Sequence, residues 1–228
     1  MSASNNTVVI KIGGAIMESL AAQHALFEQI KELQLQNKHI VIVHGGGCVA
    51  DELLTQSGFV SKKVDGLRVS EKQHMPIITG ALAGTVNKDL VARASALGIS
   101  AIGLALHDGQ MIKCSPAASF LGCVGIPAAN NDVVLSALIN AGQLAIICSI
   151  GCLENGELVN VNADDAAVAI SELLNADLVL LTDVAGVKGA DGNYLDTLNK
   201  EQASALITEG VIAGGMIAKV NAAFIAAE

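Results

Sequence analysis

Two periods of apolar spacing alternate along the chain. Predominantly apolar runs at 8–12, 39–43, 144–150 and 177–181 read as strands buried on both faces. Between them the spacing turns helical. Residues 20–35 place Leu26, Ile30 and Leu33 on one face, and 49–55, 132–141, 162–174, 200–209 and 216–228 read as further helices. Residues 59–69 alternate around Asp65-Gly66, a hairpin signal. Ser70-Glu71-Lys72-Gln73 has the form of a capping box, predicting a helix that carries Pro76 in its first turns and runs to about 97, with Gly98 as its stop. Residues 100–106 form a strand, 111–114 and 122–126 are extended, 158–161 follow a turn at 154–157, and Asp191-Gly192 marks a small hairpin. Strands alternating with helices argue for an α/β protein: a mainly parallel sheet covered on both faces, with hairpins appended.

Composition narrows this. The 228 residues suit one large domain or two lobes sharing a sheet, with no internal repeat or flexible linker. Hydrophobic residues make up 52 % but aromatics only 2 %, so the core is built of Ala, Val, Ile and Leu, as buried parallel strands require. The net charge of −9, with no basic cluster beyond Lys62-Lys63, argues against nucleic-acid binding. It also means that any anionic ligand needs deliberately placed cations. The N-terminus does not resemble a signal peptide, and the apolar run at 144–153 is too short to span a bilayer. Five cysteines without a C-x-x-C pair read as reduced thiols of a cytoplasmic protein.

In open α/β sheets ligands sit at the carboxyl ends of the strands. Four segments fall there: Gly13-Gly14, Gly45–Gly47, 160–164 and 182–186. Gly45-Gly46-Gly47-Cys48-Val49-Ala50 fits a relaxed dinucleotide fingerprint, but no acidic residue ends the next strand, so anion binding by backbone N–H groups is the better reading. No Gly-Lys pair exists, which excludes a Walker A loop. Lys11, in a buried strand just before Gly13-Gly14, is costly unless paired; it is either a structural ion-pair partner or a cation for phosphoryl oxygens. Asn160-Val161-Asn162-Ala163-Asp164 offers more polar groups than a helix cap alone needs. Arg68, at the hairpin, suits a carboxylate bidentately, and Lys219 follows Gly214-Gly215. His44 reads equally as a core, capping or catalytic residue. Neither zinc-ligand spacing nor a G-x-S-x-G elbow is present.

Taken together, Ile10-Lys11-Ile12-Gly13-Gly14, Val43-His44-Gly45-Gly46-Gly47, Gly66-Leu67-Arg68-Val69, the run 78–85, Asn87-Lys88, the run 159–164, the run 181–186 and Gly215-Met216-Ile217-Ala218-Lys219-Val220 resemble the amino acid kinase superfamily, and within it the acetylglutamate kinase family. The resemblance covers nearly the whole chain. It implies a three-layer αβα sandwich and ATP-dependent phosphorylation of the side-chain carboxylate of N-acetyl-L-glutamate. By the same resemblance, Lys11 and Lys219 stabilise the transferring phosphoryl group and Asp164 holds them. Gly13 and Gly14 receive phosphate, while Gly46, Gly47, Arg68 and Asn160 bind substrate. Asp183, Val184, Ala185, Gly186, Val187 and Lys188, with Val211, Ile212 and Ala213, line the ATP pocket. Mg²⁺ rides on the ATP phosphates without a protein metal site. An N-terminal lobe, 1–175, would bind the acylamino acid and dimerise; a C-terminal lobe, 176–228, would bind nucleotide. Family members usually continue a few tens of residues beyond this point. Arginine-inhibited members carry an extra N-terminal helix not seen here, which implies an arginine-insensitive homodimer. The alternatives are a sister kinase for aspartate, glutamate, carbamate or UMP, or a non-catalytic metabolite-binding module.

Overall fold

A computed structural model describes residues 6–64, 66–182, 184 and 186–227. The first half runs β1 (Thr7–Ile12), α1 (Gly14–Met17), α2 (Leu20–Leu35), β2 (His39–His44), α3 (Gly47–Gln56), a short hairpin β3 (Lys63–Val64) and β4 (Leu67–Arg68), α4 (Met75–Thr79) and α5 (Asn87–Ala96). There follow β5 (Ala101–Ala105), β6 (Ile112–Pro116), β7 (Val124–Ala129), α6 (Val133–Asn140), β8 (Leu144–Cys148), β9 (Ile150–Cys152) and β10 (Leu158–Val161). The chain continues with α7 (Ala163–Leu174), β11 (Asp177–Leu181), α8 (Lys200–Thr208) and α9 (Gly215–Ala226).

The central sheet has the order β11-β1-β2-β8-β5, with every neighbouring pair parallel. Its two faces feed different cores, which is why the strands read as predominantly apolar runs. Val41, Val43, Ala145 and Ile147 pack with Leu135 of α6 and the alanine-rich face of α7. Ile40, Ile42, Leu144 and Ile146 pack with Phe27 and Ile30 of α2 and Leu90 of α5. The alternation is that of a pleated strand, and it gives the expected layered sandwich. A second sheet, β6-β7-β10-β9, is mixed, with antiparallel outer pairs around the parallel β7-β10 pair.

Three local expectations are corrected. The apolar run 144–150 is not one strand. At Ser149 the backbone crosses between sheets: its N–H donates to His44 O at 3.1 Å and its carbonyl accepts from Val161 N at 3.0 Å. Ser70 does not cap a helix. Its backbone pairs with 121–123, so tertiary pairing overrides the local capping signal, and the first turn starts after Glu71 without a side-chain cap. The helix expected over 70–97 is a 3₁₀ turn, then α4, then a π-helical stretch over Gly80–Val86, then α5. The wider π turn shifts the register by which α5 faces the sheet, and such segments concentrate at functional sites.

Candidate active site

The carboxyl ends of β1, β2, β10 and β11 converge on one cleft, as the strand order requires. Lys11 lies near the carboxyl end of β1, between β11 and β2, and is only 7 % exposed. Its Nζ is 2.8 Å from Asp164 Oδ1, and Lys219 Nζ of α9 reaches Asp164 Oδ2 at 3.4 Å. Asp164 therefore stands between two ammonium groups that are more than two hundred positions apart in sequence. At 2.8 Å the Lys11 ammonium is closely paired with Asp164 Oδ1, and an ammonium has three N–H donors, more than one such contact uses. Asp164 is freed for this role because Asn162 performs the capping: its Oδ1 accepts from Asp164 N at 2.7 Å and Asp165 N at 3.3 Å.

Two cavities border this cluster, one at Lys11 and one at Lys219, and a third shares the glycine loop with the first. The main cleft, about 580 Å³, is lined by Lys11, Gly13, Gly14 and the Gly45–Gly47 loop, with Thr85 and Ala163 on its far wall. Beyond the glycine loop a chamber of about 200 Å³ is bounded by Arg68, Asn160 and Ser149. On the other side of the lysine pair lies a recess of about 180 Å³ formed by Thr182, Val184, Gly186, Val187, Met216 and Lys219.

The glycine loop brings its backbone to the cleft. Gly46, at φ 145°, occupies a conformation that side-chain-bearing residues avoid, and an added Cβ would press within 3.0 Å of Val86 Cγ2. It caps ten-residue α3 without a side-chain acceptor, so the first N–H groups of that helix face the cleft.

Arg68 is buried by three partners. Its Nη1 donates to Asp51 Oδ1 and Ser61 Oγ, and its Nη2 donates to Gly47 O at 3.0 Å. Among the described residues its Nε–H and remaining Nη2–H carry no hydrogen bond, leaving one edge of the guanidinium fork free for a carboxylate. Burial works to raise the Asp51 pKa, but hydrogen bonds from Arg68 and Ser61 and the Arg68 charge outweigh it and hold the carboxyl well below the usual range. Asn160 Nδ2 donates to Ser70 Oγ at 3.2 Å, which orients its amide at the chamber wall.

Lys11, Lys219, Asp164, Gly13, Gly14, Gly46, Gly47, Arg68 and Asn160 are thus brought into one connected site. Val184, Gly186 and Val187 line the recess at Lys219; Asp183 and Ala185 lie outside the described residues. Lys188 instead sets its Nζ over the Tyr194 ring, 5.3 Å from the centroid. Ile212 is packed into the small core of α8 and α9, while Val211 and Ala213 on either side of it are exposed on the loop between the two helices. Residues that sequence reasoning did not single out include Asp51, which holds Arg68, and Glu18, whose Oε1 accepts the Cys48 thiol at 2.8 Å across the main cleft. Asp51 carries no local signal, because its partner arrives only when the hairpin folds back.

Comparisons with known proteins fit this geometry. The Amino acid kinase family profile matches residues 6–228. An acetylglutamate kinase from Colwellia psychrerythraea is 58 % identical over 97 % of this chain and 84 % of its own length. One from Aeromonas salmonicida is 46 % identical over 97 % and 86 %. The crystal structure of smu.665 from Streptococcus mutans superposes with a TM-score of 0.88 at 32 % identity, covering 97 % of this chain and 90 % of the other. The chain belongs to the amino acid kinase family and, within it, groups with the acetylglutamate kinases.

Proposed function

We propose that the chain transfers the γ-phosphoryl group of ATP to the side-chain carboxylate of N-acetyl-L-glutamate, giving N-acetyl-L-glutamyl 5-phosphate and ADP, the second step of arginine biosynthesis. The observation that carries this reading is the Lys11–Asp164–Lys219 cluster, which borders the main cleft through Lys11 and the smaller recess through Lys219. The names of the relatives supply the acceptor.

A carboxylate oxygen of the substrate attacks the γ-phosphorus. The bond to the β,γ-bridging oxygen breaks, and the electron pair leaves with ADP. The nucleophile is already an anion, so no general base is needed, and catalysis rests on alignment and charge neutralisation. Lys11 and Lys219 meet the phosphoryl oxygens from opposite sides, and Asp164 keeps both charges in place without engaging every N–H. Gly13 and Gly14 offer backbone N–H groups to phosphate, and Gly46 and Gly47 offer theirs to the reacting end of the substrate. The free edge of Arg68 takes the α-carboxylate, with Asn160 holding the amino acid end. Val184, Gly186 and Val187 support the nucleotide, in the company of Asp183, Ala185 and Lys188, with Val211–Ala213 closing that side. Mg²⁺ enters with the ATP phosphates.

In this reading residues 1–175 form the acylamino acid lobe and 176–228 the nucleotide lobe. The protein works as a cytoplasmic homodimer. The test is ATP with each candidate acceptor in turn, trapping any acyl phosphate with hydroxylamine. Hydroxamate should form with N-acetylglutamate; its absence there, or UDP formed from UMP, sinks the proposal.

A further inference from the structure

His44 ends β2 with no exposed surface, one residue before the glycine loop. Its Nδ1 lies 2.7 Å from Gly45 O, and its Nε2 lies 3.0 Å from Asn87 Nδ2. The tautomer follows from the partners. Asn87 Nδ2 also donates to Ile146 O at 2.9 Å, and Asn87 Oδ1 accepts from Lys88 Nζ at 3.0 Å. The amide nitrogen of Asn87 therefore faces both His44 and Ile146, so His44 Nε2 is an acceptor. The ring proton sits on Nδ1 and is donated to Gly45 O. Burial drives the same outcome, pushing the His44 pKa down to about 4, so the ring is neutral at pH 7.

The network is anchored on three strands. Lys88 Nζ also donates to Gly103 O at 3.1 Å, and an added Cβ at Gly103 would collide with Asn87 Oδ1. The π-helical stretch ends at Val86, so consecutive residues do two jobs: Val86 packs on Gly46, and Asn87 sets the His44 ring.

The Gly45 carbonyl and the Gly46 N–H belong to one planar trans peptide and point in opposite directions. A carbonyl drawn back toward the His44 ring turns the Gly46 N–H outward, toward the cleft that Gly46 lines. We infer that His44 is a positioning residue which, held by Asn87, aims the Gly46 N–H into the cleft at the reacting end of the substrate. This rests on the phosphoryl-transfer reading above. His44 itself touches no substrate; it acts through the Gly45–Gly46 peptide.

The test compares His44→Asn, whose amide N–H can stand where Nδ1–H stood, with His44→Gln and His44→Leu, which lose that donor. Hydroxamate kinetics should show His44→Asn within about threefold of the parent kcat. The Gln and Leu variants should lose about ten- to hundredfold in kcat, the scale of one misaligned donor, with KM for ATP changed less than about threefold. A residue that only fills space would lower all three together, in step with folded fraction, and that result overturns the inference, as does full kcat in His44→Leu. If His44→Leu does not fold, equal kcat for the Asn and Gln variants overturns it. A parent chain that forms no hydroxamate refutes the function instead. The positioning role is then read from the Gly46 amide resonance in ¹⁵N-glycine-labelled protein, which must move in His44→Gln and stay in His44→Asn; equal movement in both refutes the role.

Discussion

Replacing Asp164 by asparagine keeps the side chain's size but leaves two ammonium groups facing each other without a counter-ion. In an effective dielectric of about 20, the 2.8 Å contact to Lys11 is worth about 6 kcal/mol and the 3.4 Å contact to Lys219 about 5 kcal/mol of gross attraction. Desolvation offsets much of this in the intact cluster, whereas removing one partner of a buried pair typically costs about 3–5 kcal/mol. The Lys219 side chain is 24 % exposed and recovers some hydration, so most of the penalty falls on Lys11, whose side chain is 9 % exposed. The variant should lose about 3 kcal/mol of stability in urea denaturation. The two ammonium groups are then no longer held in place by a shared carboxylate, and kcat should fall by about 10²–10³. The assay is hydroxamate production at saturating ATP, with urea denaturation on the same preparation. Because the three residues act as a unit, adding Lys11→Met to Asp164→Asn should cost far less than it does alone. A kcat within twofold of the parent, or fully additive losses, would refute the clamp.

Other consequences follow from the same geometry. Arg68→Lys keeps the charge but loses the fork edge, so KM for the acylamino acid should rise by about 10-fold or more while kcat changes little; steady-state kinetics checks this. Gly46→Ala should lower both activity and thermal stability, because a Cβ is strained at φ 145° and crowds Val86. His44 binds its proton more weakly folded than unfolded, so its contribution is fully present above pH about 6.5 and is lost as pH falls toward 4. Urea denaturation at pH 7 and pH 5 should show a loss of about 2 kcal/mol from this group that disappears in His44→Asn. The depressed carboxyl of Asp51 contributes stability above its unfolded pKa of about 3.9 that is lost on further acidification; Asp51→Asn should flatten the acid limb of the stability curve below pH about 4.

What was legible in the sequence depended on whether the signal was local. The parallel strands were, because burial on both faces leaves unbroken apolar runs such as Ile40–Val43. Lys11 was, because a lysine in such a run beside two glycines has few inexpensive explanations. The π-helical stretch was not, since Gly-Ala-Leu-Ala-Gly-Thr-Val over seven residues cannot separate a wider helical turn from an ordinary one. Ser70 misled because its capping pattern is real, yet its backbone is claimed by 121–123. Asp51 and His44 could not be assigned at all. Their roles are set by Arg68, 17 positions away, and Asn87, 43 positions away, and only the closed fold brings those partners to them.

The most direct measurement of the central claim is ³¹P NMR of the chain mixed with MgATP and N-acetylglutamate. An acyl phosphate resonance should grow in step with ADP, and both should vanish in the Lys11→Ala and Lys219→Ala variants while the fold persists. ADP accompanied only by inorganic phosphate from the outset, or an acyl phosphate that persists in both lysine variants, would contradict the account.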